Sequence, residues 1–176
     1  MGMRTVNMPG GEILPAAERG LIDCAEFVGG IEDLRFGFHT IWKFHYAPSV
    51  HEQVSMGELL INGDVWKELA PDLQEIVKGA ATESLFWYWA KWQRMNAEAV
   101  TEFREKHNVQ VLTTPPAIHI EFLQAWDRVA AREAARNPVF KEVYESLRKW
   151  ASVTVPAKRF YFPAYSVAAD HYWPPQ

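Results

Sequence analysis

Glu26 is the residue in this sequence whose placement most invites chemistry. It stands inside Ile22-Asp23-Cys24-Ala25-Glu26-Phe27-Val28-Gly29, a mostly apolar stretch that reads as a buried strand closed by glycine. A carboxylate in such a stretch is costly unless it is paired or coordinates a cation. Glu52 is comparable, following Val50-His51 in a loop between two expected strands. Two carboxylates with backbone carbonyls nearby suit a hard cation such as Na⁺ or Ca²⁺, which prefers oxygen ligands. The residues alone fit a plainer reading equally well, with Glu26 facing solvent on an edge strand or paired with an arginine.

The histidines offer less. His51-Glu52 begins like the zinc-protease pattern H-E-x-x-H, but the fifth position is Ser55, so the second ligand is missing. His39, His45 and His51 recur every six residues, a loose match to zinc spacing. No cysteine pair accompanies them, and the segment between them changes from helix to strand. Ordinary surface or satisfied histidines fit better than a metalloenzyme site built on His45, His51 and Glu52. The sequence has no G-x-S-x-G elbow, no P-loop and no G-x-G-x-x-G after a strand. A binding protein, not an enzyme, is therefore the expectation.

Elements that could position these groups follow from periodicity and punctuation. Thr5 to Met8 reads as a short strand ended by Pro9-Gly10-Gly11, and Glu12 to Gly20 as a short helix. Leu21 to Val28 reads as a strand, Asp33 to Trp42 as a helix, and Lys43 to Ala47 and Ser55 to Ile61 as strands, with a turn at Asn62-Gly63. Pro71 opens a helix with Leu73, Ile76, Val77, Ala80, Ser84, Trp87, Lys91, Met95, Ala99 and Phe103 at spacings of three or four. Extended to His107, it would be about 50 Å long at 1.5 Å per residue, enough to span two lobes or form a subunit contact. Val109 to Leu112 is a strand, Pro115-Pro116 starts a helix to about Arg136, and Asn137-Pro138 caps a last helix to Trp150. The end of the chain, from Phe160-Tyr161-Phe162 to His171-Tyr172-Trp173, carries six aromatic rings that either pack back on the chain or cross to a second protomer.

Composition narrows the partners. With 176 residues, 48% of them hydrophobic, the chain can bury a core. A net charge of -4 and the absence of a Lys/Arg stripe argue against nucleic acid and anionic membranes. The single cysteine, Cys24, excludes an internal disulfide. No run approaches the roughly 20 apolar residues of a membrane span. The first residues have no apolar core of a secretory signal.

The order of motifs is similar to that of a known family. Met8-Pro9-Gly10-Gly11-Glu12-Ile13-Leu14 is followed by Ala17-Glu18-Arg19-Gly20-Leu21-Ile22-Asp23-Cys24-Ala25-Glu26-Phe27-Val28-Gly29. Lys43-Phe44-His45-Tyr46, Leu69-Ala70-Pro71-Asp72-Leu73-Gln74 and Asn137-Pro138-Val139-Phe140-Lys141 continue the match. Together they resemble the extracytoplasmic solute-binding proteins of tripartite ATP-independent periplasmic (TRAP) transporters, DctP type, in the branch that binds α-keto acids and lactate. The resemblance covers nearly the whole chain.

It implies an α/β fold: the C-terminal half of a two-lobed, type II-like periplasmic binding protein with a long inter-lobe helix. On that pattern residues 1–24 are a remnant of the second lobe, and 25–64 a hinge strand and first-lobe segment. Residues 65–150 hold the long helix and second-lobe helices, and 151–176 the aromatic tail. The resemblance implies a small monocarboxylate, a 2-oxo acid or lactate, bound with Na⁺ or Ca²⁺ in the periplasm and delivered to membrane permease subunits. A homodimer is expected. The family's Glu-Trp pair becomes Glu26-Phe27 here. Glu26 would give side-chain oxygens, Phe27 its main-chain carbonyl, and Glu52 a further ligand contact. The family usually has Pro-Gly where Gln53-Val54 stand. The arginine that holds the ligand carboxylate, the first lobe's N-terminal portion and the secretory signal are not among these residues, and Arg4 lies too near the Gly-Gly-Glu turn to replace that arginine. The alternative is a fragment that has lost binding and serves only as a dimerisation or structural module.

Overall fold

One long helix organises the first of two units, Gly2–His119, in the computed structural model, which describes residues 2–49 and 57–174. Helix α1 (Gly10–Glu18) comes first, then α2 (Gly30–Arg35), a 3-10 turn (Phe38–Thr40) and strand β1 (Phe44–Ala47). After α3 (Gly63–Glu68) comes α4 (Pro71–His107), then strand β2 (Gln110–Thr113). Helix α5 (Pro116–Arg136) leads into the second unit, which continues with α6 (Pro138–Tyr161) and α7 (Tyr165–Tyr172).

Local chemistry sets the ends of α4. Pro71 occupies the first turn, where its missing N–H costs nothing. Arg104, Lys106 and His107 lie in the last turn, where cations complement the helix dipole. Asn108 then takes the left-handed conformation (φ 53°), and the Val109 N–H donates back to the Phe103 carbonyl at 2.9 Å. This reversal sends the chain straight into β2.

Strand β2 pairs in parallel with β1, Phe44 opposite Gln110 and Ala47 opposite Thr113. The ladder is continued at both ends, by Gln110 N–H to the Lys43 carbonyl (2.8 Å) and Thr114 N–H to the Ala47 carbonyl (3.0 Å). The buried Thr114 hydroxyl donates to the Pro48 carbonyl at 2.7 Å, which satisfies a group that would otherwise be orphaned. Among the described residues the sheet has these two strands.

The core of this unit sits under the C-terminal half of α4. Ala99, Phe103, Val109, Phe38, Ile13, Ala16 and Ala17 are buried, and Phe103 is only 2% exposed. Its ring lies 5.2 Å from that of His45 and 6.1 Å from that of His39. The N-terminal half of α4 is different, since Leu73, Ile76, Leu85, Phe86, Trp87, Tyr88 and Trp89 are all exposed. In the second unit, Trp126 meets Tyr144 edge-on, Phe140 stacks on Tyr144, and Ala130 is buried.

Several expected elements form where the sequence places them. α4 runs from Pro71 to His107, and Asn137 caps α6 by accepting from the Val139 and Phe140 N–H groups. Others differ. Thr5 to Met8, Leu21 to Val28 and residues 57–61 form no strand, and Ser55 and Met56 lie outside the described residues. The helix expected from Asp33 to Trp42 is interrupted by Gly37, whose φ of 78° favours glycine. Asn62-Gly63 is not a turn but the capped start of α3. α6 passes Trp150 and continues to Tyr161 despite Pro156. The rings of Phe160, Tyr161, Phe162, Tyr165, Tyr172 and Trp173 are exposed and do not pack back on the chain.

Because Phe103 joins α4, the 3-10 turn and β1, Phe103→Ala should lower unfolding free energy by about 3–5 kcal/mol. Urea unfolding followed by circular dichroism measures it.

Candidate ligand and cation site

Residues 21–29 run without helix or ladder between α1 and α2, and the chain is held at two points that follow Glu26. The first is Phe27. Its ring packs edge-on against Phe36 (5.0 Å) and Phe38 (6.0 Å). On another side it meets the start of α1, where a Cβ on Gly10 would come within 2.7 Å of the ring tip. Glycine at position 10 lets the ring sit there.

The second point is Gly29-Gly30-Ile31. The Asn96 side chain on α4 accepts from the Ile31 N–H at 3.0 Å and donates to the Trp92 carbonyl at 3.0 Å. The Trp92 indole N–H donates to both oxygens of Glu32, at 3.0 and 3.2 Å, and Tyr88 donates to the same carboxylate at 3.3 Å. Partial burial first, then the Glu32 charge and that hydrogen bond, hold the Tyr88 phenol above its ordinary value. Gly29 lies so close to α4 that a Cβ would stand 2.6 Å from the Trp92 ring.

Glu26, directly before the first of these points, is exposed. The buried strand expected around it is absent, because residues 21–28 pair with no other strand among the described residues. The carboxylate that burial acts on is Asp33, which sequence reading placed only in a helix. Burial, then the charges of Glu32 and Glu26, push Asp33 up from 3.8 to about 7. Its Oδ1 is buried without a hydrogen-bond partner. Its Oδ2 faces the His45 Nδ1 at 3.7 Å, too long for a hydrogen bond. Burial also lowers His45, so near neutral pH both groups are biased towards their uncharged forms and the contact is not a strong ion pair. The signal for Asp33 was present in the sequence: it lies seven residues after Glu26 and one after Glu32.

Asp23, Cys24, Ala25, Asp33, His45 and Tyr46 help to line a cleft of about 490 Å³. Cys24 is a free, exposed thiol. His39 borders the same cleft, its ring 3.9 Å from that of His107, and burial followed by the His107 and Lys43 charges lowers its pKa. His45 and His39 thus flank Phe103 as packing groups. His51 and Glu52 lie outside the described residues. Among the described residues no three His, Cys, Asp or Glu side chains converge as a metal site.

The model of the DctP family, bacterial extracellular solute-binding protein family 7, matches residues 1–137. The chain belongs to this family. It is 30% identical over 149 residues to a monocarboxylate 2-oxoacid-binding periplasmic protein of Nostoc sp., covering 82% of this chain and 40% of that protein. Among solved structures, a TRAP periplasmic solute-binding protein from Colwellia psychrerythraea, with bound calcium and pyruvate, is 27% identical with a TM-score of 0.72. That match covers 92% of this chain and 51% of the other. A TRAP solute-binding protein from Bordetella bronchiseptica, 22% identical with a TM-score of 0.76, covers 95% and 48% and supports the fold alone. The DctP chain thus spans about half the length of the proteins it matches. The α/β fold expected from the sequence, half of a TRAP periplasmic binding protein, is borne out.

The buried Asp33 makes a pH prediction. A carboxylate raised in the folded state binds a proton there that the unfolded chain releases, so its stabilising effect is complete below about pH 4 and is lost as pH rises through about 7. Asp33→Asn should therefore raise the urea midpoint relative to the parent at pH 8, with the difference shrinking towards pH 5.

Proposed function

We propose that this DctP chain forms the part of a TRAP solute-binding protein that presents Glu26 to a cation-bound monocarboxylate, either lactate or a 2-oxo acid such as pyruvate, without transforming it. Glu26 supplies carboxylate oxygens and Phe27 its main-chain carbonyl, with Glu52 as a further ligand. The observation that carries this reading is the exposed Glu26, placed between the anchored Phe27 and Ala25, which lines a cleft. The 2-oxoacid-binding relative from Nostoc and the calcium- and pyruvate-bound Colwellia structure support the ligand class.

The cation follows from charge. A carboxylate ligand brought against Glu26 would meet a like charge, and attraction requires a positive ion between them. Calcium or sodium, both hard and oxygen-seeking, fits carboxylate and carbonyl donors. The ligand is then handed, in the periplasm, to membrane permease subunits.

A second reading rests on another observation. The exposed rings of Phe160, Tyr161, Phe162 and Tyr165, with Trp150 and Leu147 upstream, form more apolar surface than a solvated tail needs. They favour a chain that associates with a second copy. Removing the residues after Val155 should then lower the mass measured by light scattering, and an unchanged mass rejects this association.

The binding reading is tested by calorimetry. Titrating pyruvate and lactate should give heat in the presence of Ca²⁺ or Na⁺ and none after chelation and desalting. Glu26→Gln should weaken cation-dependent binding at least tenfold with an unchanged circular dichroism spectrum. Normal binding by Glu26→Gln would remove Glu26 from the site.

A further inference from the structure

We propose that Asn96 and Trp92 of α4 are positioning residues for Glu26, locking the segment that carries it onto the long helix. The proposal rests on Glu26 being a cation ligand. The covalent path from Glu26 to the lock is short, five residues to Ile31, and Gly29 and Gly30 add no side chains to it. Asn96 ties α4 to the start of α2. Its oxygen takes the Ile31 N–H at 3.0 Å, and its amide returns a hydrogen bond to the Trp92 carbonyl one turn earlier on α4. An amide side chain does both; an aliphatic residue of similar size would leave the Ile31 N–H at the start of α2 without its side-chain acceptor.

Trp92 closes the other side. Its indole N–H spans both Glu32 oxygens, and its ring edge fills the space where a Gly29 Cβ would stand. The same Cβ would stand 3.0 Å from the Asn96 oxygen. Gly29, Asn96, Trp92 and Glu32 therefore fit only together. With Phe27 fixed against Phe36 and Phe38, the stretch from Phe27 to Ile31 is clamped at both ends, and Glu26 is the residue directly before it. A cation ligand gains from this arrangement, because a carboxylate already held in place loses less freedom when it coordinates.

The test uses the complete chain with Ca²⁺ and pyruvate as probes. Asn96→Ala is expected to raise amide hydrogen exchange in residues 26–31 at least tenfold, while α4 between residues 97 and 107 stays protected. It should also weaken Ca²⁺-dependent pyruvate binding about tenfold. Trp92→Phe, which keeps a ring but removes the indole donor, guards against a folding failure and should show the same two effects at smaller size. Unchanged exchange at residues 26–31 in both variants would overturn the lock. Faster exchange with unchanged binding, in a background where Glu26→Gln abolishes binding, would make these residues structural and overturn their positioning role. If Glu26→Gln itself binds normally, the site reading fails, and the inference falls with it through a different variant.

Discussion

The structure of the first unit depends on how α4 is held. A helix of 37 residues is far longer than the segment packed against it, and only Ala99 and Phe103 within it are buried. The buried contacts lie on the C-terminal half. Trp92 and Asn96 receive α2, and Phe103 receives the rings of His39 and His45. The Asn108 reversal then directs the chain into β2, so the pairing of β2 with β1 inherits its register from the end of the helix. One short stretch of helix surface therefore sets the positions of α2, β1 and β2 together.

That dependence explains which parts of the fold were legible in the sequence. The ends of α4 and the start of α6 are written in local chemistry: Pro71 in a first turn, Asn137 before Pro138, basic residues in the last turn of α4. Leu21 to Val28 was not legible. Its apolar run reads as a buried strand only if another strand lies beside it, and no local pattern states whether one does. Here Leu21 and Val28 are exposed, while Phe27 turns its ring into the space left by Gly10. The long apolar stripe of α4 misleads for a similar reason. Periodicity marks a face that can be buried, whereas Leu73, Ile76 and Trp87 show that marking a face does not cover it.

The site shows the same division. Reasoning from burial selected Glu26 as the costly carboxylate, yet the structure exposes Glu26 and buries Asp33. The two are linked, since the Glu26 charge is one of the causes that raise Asp33. Three acidic residues, Glu26, Glu32 and Asp33, lie within eight positions around the start of α2, and the structure disposes of them differently. Glu32 is held by the Trp92 and Tyr88 donors, Asp33 is pushed towards neutrality, and Glu26 is exposed. Family resemblance selected Glu26 for another reason, its place in an ordered motif, and that selection does not depend on burial.

The replacement of the family's tryptophan by Phe27 fits this arrangement physically. A tryptophan brings an indole N–H that needs an acceptor when it is covered, and the Phe36 and Phe38 rings beside position 27 offer only aromatic faces and edges. Phenylalanine fills the contact without that demand, and the start of α1 accepts it because Gly10 has no side chain. A main-chain carbonyl at position 27 is the same group whichever ring follows it. The ring can therefore serve as an anchor while the carbonyl proposed to meet the ligand is unchanged, so the substitution alters how the segment is held without removing an oxygen from it.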